Sequence, residues 1–284
     1  SMVNFAKLAG PTLAGFVVAV LGAGVCFFIN AASYIAVIAS LLLMKTAARV
    51  YPKKNSALLQ LKDGLRYSFG FPPIKYIILF LSVVSLTAIP YMVLMPIFAK
   101  DILHGGPQTL GFLMGFAGIG ALMGAVYLAS RKTVLGLGRV MVIATGVFGI
   151  SLVAFSFSKS LWLSETLLLF SGMGMMIHMA ASNTILQTIT SDEMRGRVMS
   201  LYVTAFMGIM PFGSLLAGSL ANKIGAPFTL AIGGSICIAA AVAFSYKLPS
   251  IRELAKPVYI EKGIIPPIEK GLQSASQLTV PPEN

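Results

Sequence analysis

Glu165, His178, Asn183 and Gln187 stand in or beside residues 166–191, a run of 26 without a formal charge. A carboxyl and an imidazole in such surroundings could take up and release a proton. The two amides could hydrogen-bond a ligand. Glu165 and Asn183 are 18 residues apart, five turns of an α-helix, so they share a face with Gly172, Met176 and Met179. His178 points roughly opposite. Met173, Met175, Met176 and Met179 crowd the same segment, and flexible, polarisable thioethers can line a pocket for varied apolar ligands. Each assignment has a plainer alternative. Glu165 could reach interfacial water, His178 could be a neutral, hydrogen-bonded histidine between helices, and the methionines could simply pack. Asn30 and Tyr91 are further cavity candidates.

The elements that hold these groups follow from composition. Of 284 residues, 57% are hydrophobic and 11% charged, with mean hydropathy +0.87. An ordinary soluble domain carries about 25% charge, so so little charge cannot cover a water-facing surface. Conventional catalysis finds no support. His104 and His178 lie apart, and HExxH, paired CxxC, GxxxxGK and GxSxG patterns do not occur. Gly172-Met173-Gly174 falls inside an apolar helix with no strand before it, so it is not a nucleotide loop. No catalytic residue, metal ligand or cofactor is assigned. The reading is an all-α, polytopic membrane bundle.

Charge-free intervals place the spans. A helix needs about 20 apolar residues to cross a ~30 Å core. Residues 8–44 fit two spans folded at Gly22-Ala23-Gly24, and six later intervals fit one each. The expected helices are 5–21, 25–44, 75–98, 108–130, 138–157, 161–187, 198–220 and 226–246. Alternating the loops puts 18 of the 21 lysines and arginines on one side and only Lys100, Lys159 and Lys223 on the other. By the positive-inside rule the crowded side, with the C-terminus, is cytoplasmic. The net charge of +12 therefore records insertion topology and contact with an anionic leaflet, not nucleic-acid binding, since no basic–aromatic platform accompanies it.

Four regions result. Residues 1–44 form two spans, 45–74 a polar linker, 75–247 a six-helix bundle and 248–284 a polar, partly disordered tail. In the linker, Leu58, Leu61, Leu65 and Phe69 recur at helical spacing opposite Lys62, Asp63 and Arg66, which predicts an amphipathic helix on the membrane face. Gly10, Leu13, Ala14, Gly15, Gly22 and Ala23 recur as Gly213, Leu216, Ala217, Gly218, Gly225 and Ala226, each offset by 203 positions. Parallel repeats of this kind build transporters from two halves. The offset predicts that about 130 further residues, four helices of the first half, precede Ser1 and partner this chain.

These residues carry a family resemblance. The six-plus-six plan with a central loop resembles the major facilitator superfamily. Gly10-Pro11-Thr12-Leu13-Ala14-Gly15 resembles the fifth-helix antiporter motif, with Ala14 in place of a glycine. Asp192-Glu193-Met194-Arg195-Gly196-Arg197-Val198-Met199-Ser200-Leu201 resembles the loop before the eleventh helix in the drug:proton antiporter-3-like branch, which includes enterobactin-exporter-like and transmembrane-secretion-effector proteins. LKDGLRY (61–67), Pro90-Tyr91 with Pro96, and 257–272 look like the same branch.

The resemblance implies a secondary transporter in the cell membrane that exports a small amphipathic compound, drug- or siderophore-like, against inward proton flow by alternating access. Membrane lipids, a small-molecule substrate and protons would be its partners. Glu165 and His178 are the proton-coupling candidates, and Asn30, Tyr91, Met176, Met179 and Asn183 the substrate-cavity candidates. Gly10, Pro11 and Gly15, with Pro211, Gly213 and Gly218, would form bendable, closely packed helices. Asp192, Glu193, Arg195 and Arg197, with Arg131 and Arg139 from a degenerate second loop motif, would form a charged gate or serve as positive-inside anchors. A lipid facilitator such as a lysophospholipid flippase, or a non-transporting scaffold, are the alternatives.

Overall fold

The computed structural model describes residues 28, 31–35, 37–40, 42–43, 57–131 and 133–265. Helices account for the architecture, and no strand occurs among the described residues. A short apolar helix, α1 (Ala31–Ser40), falls within the expected second span. The expected first span, 5–21, lies outside the described residues.

The linker helix forms as α2 (Ala57–Gly70). Leu65 and Phe69 of the predicted apolar stripe do not dock it. Leu65 and Phe69 are 40% and 45% exposed, whereas Gly64 and Ser68 are buried and Tyr67 is half-buried against the bundle. The reason is local. A Cβ on Gly64 would lie 3.1 Å from Arg197 Cβ, so only a minimal side chain admits that close approach. Leu65 and Phe69 are left exposed, as on a helix that lies in a membrane interface.

Six spans follow, each long and apolar enough to cross a membrane. The first, Pro72–Ile102, is broken: α3 (Pro72–Thr87), a turn, α4 (Tyr91–Ile97) and a π-turn Phe98–Ile102. The sequence predicts one span over 75–98, kinked at Pro90 and Pro96. Pro90 has no N–H to continue the ladder, and the chain restarts at Tyr91. Pro96 stays inside the helix, and a π-turn at once follows it. Next come α5 (Pro107–Ser130), α6 (Leu137–Ser156) and α7 (Leu161–Ile189). The fifth span, Arg195–Ile224, is α8 (Arg195–Val203), a π-turn Thr204–Gly208 and α9 (Met210–Ile224), with Pro211 at the restart. Ser85 Oγ donates to the Phe206 carbonyl inside that π-turn at 2.5 Å, satisfying backbone that lipid could not.

The last span, α10 (Ala226–Glu261), runs 36 residues, well past the expected end at 246. The segment expected to begin a polar tail at 248 is helical because Leu248, Ile251 and Ala255 form a buried stripe closing the end of the bundle. Pro249 and Pro257 are carried inside the helix.

The core is centred on α3, α4, α6 and α7, with Phe98, Phe148, Phe155, Leu81 and Leu152 fully buried. Phe98 and Phe155 rings lie 4.7 Å apart, centroid to centroid. The span Arg195–Ile224 is the least buried of the six, and Pro107–Ser130 comes next.

Candidate functional site

Between these two least buried spans and α7 lies an open pocket of about 370 Å3. That volume suits one small organic ligand. One wall is α5 through Gly118, Ala121, Leu122 and Ala125, which recur at helical spacing on one face. Met176, Met179, Ala180, Asn183 and Thr184 of α7 form the floor, and Tyr202 of α8 closes one side.

The wall can stand this close to the floor because glycines sit at the crossing. A Cβ on Gly120 would lie 1.8 Å from the Leu169 carbonyl oxygen, and one on Gly172 would lie 1.9 Å from that of Ala117. Backbone meets backbone with nothing between, the small-residue mode of helix packing in lipid.

Two of the pocket's polar side chains are held by hydrogen bonds. Asn183 Oδ1 accepts from Gln187 Nε2 at 2.5 Å, and the Tyr202 hydroxyl donates to the Met179 carbonyl at 3.1 Å. Asn183 and Tyr202 thus stand oriented in the lining, with two methionine side chains beside them. Such a surface can hydrogen-bond one end of a ligand and pack against the other.

Met176, Met179 and Asn183 thus come together as the helical spacing predicts. Tyr91 does not join them. It is buried, edge-on to Phe148 at 6.1 Å, and borders a separate crevice beside Gly213. Asn30, Gly10, Pro11 and Gly15 lie outside the described residues. Gly213 presses on the first span, where a Cβ would meet the Leu86 carbonyl oxygen at 2.3 Å; Gly218 has open space around it. Tyr202, Thr184 and the α5 wall escaped the sequence reading. The i, i+3, i+4, i+7 recurrence of Gly118, Ala121, Leu122 and Ala125 was the available signal, whereas nothing in sequence pairs Tyr202 with Met179.

His178 faces away from the pocket and is 1% exposed. Thr145 Oγ1 donates its one hydrogen to the Met141 carbonyl at 2.7 Å and lies 2.7 Å from His178 Nδ1. By that network Nδ1 carries the hydrogen and donates to Thr145. Phe80 stands edge-on to the ring at 4.9 Å, and Nε2 is buried without a partner. This is a histidine packed between helices. Glu165, on the pocket-bearing helix, is 5% exposed and does not line the pocket, although the helical spacing puts it on the face of Asn183.

At the basic end of the bundle the gate candidates separate. Arg195 pairs with Asp192. Arg197 instead reaches Asp63 of the linker helix at 3.5 Å. Ser191 N–H donates to Tyr67 Oη at 3.3 Å, and Lys262 Nζ donates to the Thr190 carbonyl at 3.1 Å, so linker and C-terminal helix both hold the α7–α8 turn. Arg131 staples the α5–α6 turn, donating to Tyr127 Oη at 3.2 Å and to the Leu135 carbonyl at 3.1 Å. Glu193 and Arg139 enter neither of the two ion pairs among the described residues. No cluster of His, Cys, Asp and Glu able to hold a metal occurs among them either.

Comparison with known proteins adds relatives to this geometry. The transmembrane secretion effector profile matches residues 1–264. The chain is 24% identical to the MFS-type transporter YfmI of Bacillus subtilis over 83% of its length and 60% of the relative's. It is 23% identical to the staphyloferrin A transporter of Staphylococcus aureus, covering 84% and 60%. It is 26% identical to the multidrug efflux pump Tap of Mycolicibacterium fortuitum, covering 88% and 62%. The chain therefore spans about 60% of the length of these relatives. Among solved structures, a bacterial homologue of the lysosomal transporter Spinster aligns with TM-score 0.47 at 16% identity, over 91% of this chain and 68% of that one.

Proposed function

This chain belongs to the transmembrane secretion effector family of the major facilitator superfamily, a family of membrane transporters, and from that premise we propose that it is the greater part of a proton-coupled exporter of small amphipathic compounds. One observation carries the reading: the pocket between α5, α7 and α8 sets the hydrogen-bonded side chains of Asn183 and Tyr202 beside those of Met176 and Met179. A ligand with one polar and one apolar end fits that surface. The relatives named for drug efflux and for staphyloferrin A handling support the substrate class.

The pocket opens on the side of the two least buried spans. There the other half of the transporter packs, and the cleft between the halves becomes the substrate site. Alternating access rocks one bundle against the other. The breaks at Pro90 and Pro211 let outer and inner parts of two spans tilt independently. Glu165, a nearly buried acidic residue on the helix that carries the pocket floor, is the proton carrier in this reading. The basic end, with the C-terminus, faces the cytoplasm.

Efflux of an amphipathic dye and of a siderophore from proteoliposomes, with and without an imposed pH gradient, tests this. Export that accelerates with the gradient is expected, and transport indifferent to a collapsed gradient overturns the coupling. Thiol labelling of Lys159→Cys and Arg252→Cys from opposite sides tests the orientation, and labelling of both from one side refutes it.

A further inference from the structure

A second, largely apolar cavity of about 390 Å3 lies on another side of the bundle. Ile77, Met141, Ile185 and Leu248 contribute to its walls, from α3, α6, α7 and α10. Of these helices only α7 also lines the Asn183 pocket, so the two sites are distinct. Arg252, Lys256 and Tyr259 border this cavity at i, i+4 and i+7 of α10, one stripe of that helix. Arg252 and Lys256 are exposed. Glu253 borders it as well, but one residue on from Arg252 it projects about 100° round the helix, and two cations outnumber it.

The height of these cations in the bilayer follows from helix geometry. Arg252 and Lys256 lie 26 and 30 residues after Ala226, about 39 and 45 Å along the axis. That is beyond a ~30 Å hydrocarbon core and at the far edge of the ~40–45 Å that includes headgroups. The apolar interior lies one to two turns deeper, at acyl-chain level. Cations at headgroup height above an apolar slot between helices match an anionic lipid in both halves of its chemistry.

We propose that this cavity binds one anionic phospholipid, with an acyl chain among Ile77, Met141 and Leu248 and the phosphate on Arg252 and Lys256. A soluble anion would leave the apolar slot unused, and a zwitterionic lipid would gain little from the paired cations. The site rests on the membrane-spanning bundle. The proposed orientation decides only which leaflet supplies the lipid, so binding measured in detergent can fail or succeed independently of export.

Native mass spectrometry of the delipidated full-length protein, titrated with lipid, tests the site. Phosphatidylglycerol should fill one site at least tenfold more tightly than phosphatidylcholine of the same chains, and glycerol phosphate alone should not bind. Arg252→Gln with Lys256→Gln should weaken phosphatidylglycerol about thirtyfold, and Arg252→Lys with Lys256→Arg should keep it. Ala255→Phe fills the slot and should abolish binding; Val134→Phe, on the opposite wall, replaces it if that variant does not fold. Equal binding of phosphatidylcholine, or binding untouched by the slot-filling variants, overturns the proposal. So does glycerol phosphate binding as tightly as the lipid, or lipid binding that appears only after residues 266–284 are removed, which would make that segment the occupant.

Discussion

Gly172→Ala adds one methyl group where the α5–α7 crossing has no room. The new Cβ would lie 1.9 Å from the Ala117 carbonyl oxygen, and ordinary contact begins near 3.4 Å, so the helices must part by about 1.5 Å. The obstacle is backbone, which cannot swing aside as a side chain does. A gap of 0.5–1 Å already forfeits a quarter to a half of each dispersion contact, so more than half is lost near the crossing. Overpacking of this kind costs about 3 kcal/mol. By the scaling for domains of 150–250 residues, that lowers the melting temperature by roughly 6–12 °C. Thermal aggregation of the detergent-solubilised protein, read by size exclusion, measures it. Gly115→Ala is the matched control on the facing helix, because nothing lies within 4 Å of its added Cβ. There alanine should be neutral or stabilising by up to about 1 kcal/mol. Gly172→Ala melting within 2 °C of Gly115→Ala, on the scale of that scaling, would refute the close-crossing account of the pocket wall.

Asn183→Leu removes the amide from the pocket lining and should lower export at least tenfold, about 1.4 kcal/mol, with the melting temperature little changed; unchanged efflux would remove the pocket from the substrate path. Thr145→Val leaves the His178 Nδ1–H without an acceptor and should destabilise by about 1–3 kcal/mol, while substrate affinity holds; a transport defect at full stability would contradict the packing role. Glu165→Gln should weaken export and flatten its response to a pH gradient, and wild-type export across a pH titration counts against the carboxyl as proton carrier. The Asp63–Arg197 pair is half-exposed, so a double-mutant cycle with alanine at both positions should give about 0.2–1 kcal/mol of coupling that fades in high salt; coupling near 3 kcal/mol would mean a buried latch instead.

The amino-acid sequence alone dictated the solvent. With 11% charge and uncharged runs of 19 to 37 residues, the chain can only bury its backbone as helices in lipid, and the lysines and arginines between those runs mark the ends of the lipid-buried stretches. Period 3.6 also put Met176, Met179 and Asn183 on one face, since that depends on one helix alone. Proline chemistry marked the break at Pro90, whereas the π-turn Thr204–Gly208 before Pro211 depends on a neighbour, Ser85. Which helix lies opposite that face was decided only by packing. Gly120 and Gly172 set the α5 wall against the floor, and Tyr202 reaches Met179 across 23 residues of chain. The tertiary structure also turned the linker helix onto Gly64 and Ser68, away from Leu65 and Phe69, and kept residues 248–261 helical against the bundle end. Contacts between helices depend on relative rotation and distance, and a period read along one helix is blind to both.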